Sequence, residues 1–389
     1  NEPKLRFKAD DGSQFPDWEE KSFGDFFITH SEKTSDRDSY PLYSLTIESG
    51  VQPKTERYER EFLVKKEGDN YKIVPPNAFV YNPMNLRFGA LKVNHEKFSV
   101  SVSGYYNVFS LKDDSALAFW ENYLVTHGML NYYFSIATGS LIEKLRVHYS
   151  QFMRIKKAVP SLPEQQKIAE FLVAIGTVIE KQKETVSAWE ERKKGVMQKL
   201  FSQEVRFKAD DGSEFPDWEK KKLEDVVEFL DGQRKPLEAG QRVSGKYPYY
   251  GASGIIDYVE NYIFDEELIL LSEDGANILD RNYRVCFLAK GKYWVNNHAH
   301  VLRAMDGNVN GFICEQLESF DYRKYNSGGA QPKLNQATCR AIIMNIPCLE
   351  EQQKIADCLS SLDDVIEKQK ATLAAWEEMK KGLLQQMFV

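Results

Sequence analysis

Along residues 164–201, large apolar side chains recur at Ile168, Leu172, Ile175, Ile179, Val186, Trp189, Val196 and Leu200, and polar Gln182 and Lys193 fill the two remaining positions of the same seam. The steps alternate between four and three, the spacing of a helix that lies against another helix. Residues 351–388 carry the same register as Ile355, Leu359, Leu362, Ile366, Gln369, Leu373, Trp376, Lys380, Leu383 and Met387, with polar residues in the same two slots. Pro163 stands just before the first pattern, where a missing N–H costs little, and Pro347 shortly before the second. A helix of this length spans about 57 Å at about 1.5 Å per residue, more than a compact domain of this size easily encloses. One narrow apolar stripe does not stabilise an isolated helix, so the natural partner of each helix is the other copy. Antiparallel pairing would make a rod with one folded body at each end; the competing arrangement docks each helix on its own domain alone.

The segments between the helices follow a different pattern. In the second, YIFDEELILLS, RVCFLAK and GKYWVNNHAHVLRAM are short β-rich runs set off by the turn signals DGQ, GAS, EDGAN and NSGGAQ. In the first, FLVKKEGDNYKIVPPNAFVYNP and KFSVSVSGYYNVFSL behave likewise, and DSALAFWENYLVTHGMLNYYFSIA reads as helical. Each body is therefore expected to be an α+β domain with a twisted sheet. The division is residues 1–160, a first body; 161–203, a long helix; 204–347, a second body; and 348–389, a second long helix.

Both halves open with one phrase. RFKADDGSQFPDWEEK at residues 6–21 returns as RFKADDGSEFPDWEKK at 206–221, an offset of 200 with two differences. The helical phrase from Glu164 to Phe201 returns from Glu351 to Phe388 with 23 of 38 positions identical, at an offset of 187. The chain is a tandem duplication whose second body is 13 residues shorter and cannot be aligned with the first by eye. The scaffold is kept and its contents differ.

Composition narrows the function classes. With 389 residues, 42% hydrophobic and 28% charged, the chain has the makings of two or three domains with cores of their own. A net charge of −7 argues against coating nucleic acid through bulk positive charge, while 20 Tyr and 51 Lys plus Arg leave material for local basic grooves. Cys286, Cys314, Cys339, Cys348 and Cys358 form no CxxC pair or regular disulfide spacing and read as reduced thiols. The start, NEPKLRFKADDG, lacks the order of a signal peptide, and charge breaks every apolar stretch before 18 residues. A cytoplasmic protein without membrane contact is expected.

Catalytic signatures are missing or are decoys. There is no GxxxxGK[ST] loop, no GxGxxG after a strand and no GxSxG elbow. Asn82-Pro83-Met84-Asn85 is superficially like the Asn-Pro-Pro-aromatic motif of amino-methyltransferases, but the second Pro, the aromatic and a glycine-rich cofactor strand are missing. Pro16-Asp17-Trp18-Glu19-Glu20-Lys21 offers the letters of a nuclease metal site, yet a nuclease needs them on separate strands that converge on Mg²⁺, and the copy from Pro216 to Lys221 has lost the ExK pattern. The phrase reads better as a boundary whose Phe and Trp anchor the chain where each body begins. His298 and His300 could share a strand face, but no third ligand stands at metal spacing. No catalytic residue and no metal site are assigned.

The plan of body, long helix, body, long helix, with LPEQQKIAEFL and LEEQQKIADCL opening the helices, resembles the DNA-specificity subunit of bacterial type I restriction-modification systems. Further phrases of that kind are Tyr249-Tyr250-Gly251-Ala252-Ser253-Gly254, Trp294-Val295-Asn296-Asn297-His298-Ala299-His300 and Gly329-Ala330-Gln331-Pro332-Lys333-Leu334-Asn335. The resemblance covers essentially the whole chain, although the first body has neither YYGASG nor GGAQPKLN and only Ala137-Thr138-Gly139-Ser140-Leu141 near the latter position. It implies two target-recognition domains, each reading half of a split site, on an antiparallel coiled coil with pseudo-two-fold symmetry. It also implies double-stranded DNA and two methyltransferase subunits as partners, with two restriction subunits beyond them. S-adenosylmethionine, ATP and Mg²⁺ would then sit on those partners and no cofactor on this chain.

Independent physics agrees with that plan: two identical partners need two near-identical surfaces, and an asymmetric sequence needs dissimilar readers. Dividing about 57 Å by about 3.4 Å per base pair caps the gap between half-sites at roughly 17 base pairs. Arg or Lys reads guanine and Asn or Gln reads adenine, from loops that can reach the groove. In the second body such side chains are Arg234, Lys235, Lys246, Tyr249, Tyr250, Asn296, Asn297, His298, Gln331, Lys333 and Asn335; in the first they are Lys33, Arg37, Lys54, Arg57, Arg87 and Tyr105. The leading reading is a non-catalytic subunit that recognises a bipartite DNA site and positions methyltransferase and restriction partners over it. Its competitors are a coiled-coil adaptor that binds protein without reading DNA, and an enzyme with an unrecognised nuclease or methyltransferase site.

Overall fold

A computed structural model describes residues 3–54, 71–141, 144–329 and 331–388. The chain divides into two compact units, residues 1–182 with 372–389 and residues 183–371, so each unit contains one body and part of each long helix.

In the first unit the duplicated phrase begins as a tight hairpin. Lys8 bridges Gln14, and Gly12 closes the turn at φ +84°, a left-handed conformation that costs glycine nothing sterically. The body then runs through β1 (Glu19–Ser22), β2 (Phe27–His30), β3 (Lys33–Thr34), β4 (Tyr43–Thr46), β5 (Gly50–Pro53) and β6 (Tyr71–Val74). It continues with β7 (Phe79–Tyr81), β8 (Leu91–Val93), β9 (Val100–Val102) and β10 (Asn107–Leu111). Helices α1 (Leu117–Tyr123) and α2 (His127–Ile136) and the helical turn Tyr149–Met153 lead to β11 (Lys156–Val159), which delivers the chain to α3 (Leu162–Phe201). The end strands meet: β11 returns to pair antiparallel with β1, Glu19 opposite Val159.

The main sheet has the order β2-β10-β7-β8, flanked by the sheet β3-β6-β9 and the hairpin β4-β5. Aromatic rings fill the core behind the main sheet, with Phe79 stacked on Phe109 at 5.1 Å and Phe27, Trp120 and Phe152 around them. That core also takes in Ile168, Ala169 and Leu172 of α3 and the C-terminal Met387 and Phe388. The helix end is thus part of the body's own hydrophobic core, which supplies the burial that a single heptad stripe lacks.

The second unit repeats the plan. Gly212 closes the same hairpin at φ +86°. β12 (Glu219–Lys222), β13 (Val227–Phe229), β14 (Ser244–Gly251), β15 (Gly254–Val259), β16 (Phe264–Asp265) and β17 (Leu268–Ser272) follow. Then come β18 (Cys286–Ala289), β19 (Lys292–Val295), β20 (Ala299–Ala304), helix α4 (Asn310–Glu318), a short helix at Gln336–Arg340, β21 (Ile343–Ile346) and α5 (Leu349–Met387). β21 pairs with β12 as β11 does with β1. The main sheet, β13-β20-β17-β18, has the topology of β2-β10-β7-β8 strand for strand. What differs is the insertion: the second body adds a separate sheet, β15-β14-β19-β16.

Within each unit the long helices run antiparallel. In the second, Lys370 pairs with Glu190 at 2.9 Å and Lys193 with Asp363 at 2.7 Å, so ascending positions on one helix meet descending positions on the other. In the first, Leu383 and Leu384 pack on the core that holds Ile168 and Leu172. Ile168, Leu172, Ile175, Ile179, Ile355, Leu359 and Ile366 are buried, and Leu362, Trp189 and Trp376 are half-buried. Lys193, a polar slot of the seam, is buried and bonded to both Asp363 and Glu315 of α4. Two α+β domains are therefore joined by a pair of long helices.

Candidate nucleic-acid interface

Each body is fastened to its helix by the duplicated phrases. The Arg6 guanidinium donates to both oxygens of Glu164, at 3.0 and 2.8 Å, and to the Pro16 carbonyl at 2.6 Å. Arg206 repeats this on Glu351, at 3.0 and 2.7 Å, and on Pro216 at 2.7 Å, while Trp218 Nε1 donates to Glu351 at 3.0 Å. Gln165 accepts from Trp120 Nε1 and donates to the Pro160 carbonyl; Gln352 accepts from the Val309 amide and donates to the Pro347 carbonyl. Lys167 and Lys354 reach the turn aspartates Asp10 and Asp210. The EQQK and PDWE phrases therefore serve as a clasp, and the carboxylates that mimic a nuclease motif belong to that boundary.

In the second body the C-terminal ends of β13 and β17 and the N-terminal end of β20 lie at one end of the main sheet, because these strands are antiparallel neighbours. The loops 230–243, 273–285 and 296–298 start there. Residues 326–329 and 331–334 join them: the Leu334 amide donates to the Glu273 carbonyl at 2.7 Å, and Gly275 donates to the Pro332 carbonyl at 3.1 Å. These two flanks are drawn together by Asn326, whose Oδ1 accepts from the Gly328 and Lys333 amides. A Cβ on Gly328 would fall 2.0 Å from the Gln331 carbonyl, so only glycine fits.

A buried ion network holds these loops together. Asp231 accepts from His300 Nδ1 at 2.7 Å, from Gln336 Nε2 at 2.8 Å and from the Val301 amide at 2.9 Å. His300 Nε2 lies 2.8 Å from the Leu334 carbonyl, so both ring nitrogens face acceptors and the imidazolium is the form that satisfies them. Burial alone would drive His300 toward neutrality; the hydrogen bond to Asp231, helped by Cys339, prevails and its pKa is pushed up to about 10. Burial likewise favours protonation of Asp231, yet His300, Val301 and Arg234 hold its carboxyl below the usual range. Arg234 bonds Glu273 at 2.8 Å and the Ala299 carbonyl at 2.7 Å.

The sequence-assigned residues of this body separate by placement. Arg234 lies inside the network, Tyr249 is buried with its hydroxyl accepting from the Leu237 amide, and Tyr250 packs on Phe287 and Tyr293. Asn296 is buried and accepts from the His298 amide, and Asn335 caps the helix at Gln336 by accepting from the Thr338 amide. Those five side chains shape the surface from beneath. Lys235, Lys246, Asn297, His298, Gln331 and Lys333 are exposed, and all but Lys246 belong to the gathered loops; Lys246 lies over Tyr247 on the added sheet. Asp231, Glu273 and Gln336 of the network, and Asp274 beside His298, are residues that sequence patterns gave no reason to select, since their partners lie up to 105 positions away.

The first body gathers equivalent loops at the equivalent sheet end. Its C-terminal ends of β2 and β7 meet the N-terminal end of β10, opening segments 31–37, 82–90 and 103–106. Thr138 bridges Arg146 beside them, and Val147 donates to the Pro83 carbonyl at 3.0 Å, as Leu334 does to Glu273. Arg87 lies between the rings of Phe88 and Phe134, at 4.7 and 5.8 Å. Lys33 faces Lys72 directly across β3 and β6, Lys72 donates to the Tyr106 carbonyl at 2.6 Å, and burial with the nearby Lys33 lowers the Lys72 pKa. Arg37 stacks on Tyr71 and donates to its hydroxyl, and Tyr105 is exposed beside Tyr106. Lys54 follows β5 and lies outside these loops, with its amide donating to the Leu42 carbonyl, and Arg57 lies outside the described residues. Lys72, Lys144 and Arg146 are exposed or half-buried cations of this end that sequence patterns passed over; the Ala137–Leu141 glycine turn was the available signal.

Among the described residues no group of three or more His, Cys, Asp or Glu is placed to hold a metal ion, and no helix is long and apolar enough to cross a membrane. His298 and His300 diverge accordingly, to Asp274 and to Asp231. All five cysteines are free.

Comparison with known proteins places this architecture. Residues 216–375 match the family described as Type I restriction modification DNA specificity domain. A Haemophilus influenzae protein assigned as a type I restriction enzyme specificity subunit is 38% identical over 152 residues, 39% of this chain and 38% of its own length. A Methanocaldococcus jannaschii protein assigned as the MjaX specificity subunit is 25% identical over 284 residues, 67% of this chain and 65% of its own. The matches therefore span less than two thirds of these relatives. Among solved structures, the S subunit of a type I restriction-modification system from M. genitalium superimposes with a TM-score of 0.61 at 14% identity, covering 100% of this chain and 99% of that one. By sequence over up to two thirds of its length, with the family match at residues 216–375, and by fold along its whole length, the chain resembles type I specificity subunits.

Proposed function

We propose that this chain is the DNA-recognition subunit of a type I restriction-modification complex, reading a bipartite, asymmetric duplex site with one body per half-site. One observation carries the reading: two bodies with the same main sheet and the same clasp present different loop sets at the same sheet end. A duplicated enzyme would keep its catalytic residues in both copies, whereas a reader of two unlike half-sites must change them. The duplicated helices supply two near-identical surfaces for two methyltransferase subunits, with restriction subunits beyond them. In this reading the chain is non-catalytic, and S-adenosylmethionine, ATP and Mg²⁺ act on the partners.

The test is a salt-dependent binding titration of the complex with its methyltransferase subunits on duplex DNA, alongside incubation of the chain alone with methyl donor or Mg²⁺. The reading predicts binding whose affinity falls steeply with salt and no turnover by the chain alone. Turnover by the isolated chain, or a complex indifferent to DNA, contradicts it.

A further inference from the structure

The two acids that follow β17 are placed against the cations of the second body's loop end. Glu273 Oε1 lies 3.4 Å from Lys333 Nζ while its other oxygen bonds Arg234; the Asp274 carboxylate lies 2.9 and 3.0 Å from His298 Nδ1. The acids are largely covered, with side chains 16% and 21% exposed, whereas Lys333 and His298 are 47% and 50% exposed. Backbone bonds make the placement rigid. The Glu273 amide donates to the His298 carbonyl at 2.9 Å, Leu334 donates to Glu273, and Asp274 bridges Lys333.

We infer that Asp274, supported by Glu273, is a specificity-determining residue: Asp274 holds His298, Glu273 holds Lys333, and the two acids make that surface a poor site for an arbitrary phosphate. This rests on the proposed reading of the loop end as a DNA surface. A phosphate approaching His298 or Lys333 also approaches two fixed carboxylates, and like charges repel. A base edge is treated differently, because an exocyclic amino group of cytosine or adenine can donate to a carboxylate while Lys333 or His298 engages a neighbouring acceptor. The pair thus penalises backbone contact and tolerates base contact.

The experiment uses the methyltransferase-bound complex and two duplexes, one carrying the site mapped by methylation and one unrelated. Asp274→Asn keeps the side-chain shape and an acceptor for His298 but removes the charge. It should tighten binding to unrelated DNA about threefold to tenfold without a matching gain on the target, where the weakened base contact offsets the relief of repulsion, so that discrimination falls. Asp274→Glu keeps the charge and should keep discrimination, and His298→Gln in the Asp274→Asn background should abolish the tightening. A purely structural role for Asp274 would weaken both duplexes together. Unchanged or weaker binding to unrelated DNA by a folded Asp274→Asn complex overturns the inference. Failure of the wild-type complex to bind either duplex would instead overturn the DNA-reading assignment itself.

Discussion

Glu351 shows how much one side chain can be asked to do. It is fully buried, and its charge is compensated by Arg206 and Trp218 at the point where body and helix join. Removing one partner of a buried pair leaves an uncompensated charge, so Arg206→Ala should cost about 3 kcal/mol, read as a lowered denaturant midpoint. His300 gives a pH signature. Its folded pKa, about 10, lies above the ordinary imidazole value, so the folded state holds the proton more tightly than the unfolded chain. The stability it contributes is complete below about pH 6.5 and is lost as pH rises toward 10. The melting temperature of the second unit should therefore fall between pH 6.5 and 9.5, and His300→Gln should flatten that fall. Sequence alone marked His298 and His300 as an alternating pair but left their partners invisible, because Asp231 lies 69 positions from His300. Lys333 and Gln331 are exposed, as their glycine-rich loop suggested; that Arg234, picked from the same pattern, is half-buried in an ion network was not legible, since an arginine in a turn looks the same whether it faces solvent or acids.

The long helices were legible to within a few residues, because a seam repeated over ten positions leaves little choice of period. Its polar slots were less so. Lys193 read as an interruption, yet it is buried between Asp363 and Glu315, which also bonds Arg284. Lys193→Ala should therefore destabilise the second unit by about 3 kcal/mol, comparable with the about 2–5 kcal/mol expected for Leu359→Ala in the apolar seam. Equilibrium unfolding of the two variants makes the comparison. The bodies were read correctly as β-rich α+β domains, but their common sheet was not. A main sheet specifies which positions point inward, and Phe27-Ile28-Thr29-His30 and Val227-Glu228-Phe229 meet that demand with different residues. Topology survived where the letters did not.

At the scale of the whole molecule, the duplication distributes two demands: sameness at the clasp and seam, difference at the loop ends. If the helices set the gap between half-sites, adding one heptad to both, about 10 Å or roughly three base pairs, should widen the recognised gap without disturbing the seam. Methylation that stays at the original spacing would end the idea of a molecular ruler. The central claim is that each body reads its own half of one split site. Mapping methylated bases in DNA from cells carrying the full system tests it most directly, once with this chain and once with the loops of residues 230–335 replaced by those of another second body. The account predicts a bipartite motif in which the exchange alters one half and leaves the other, with its gap, intact. A single continuous motif, or a change in both halves, would contradict it.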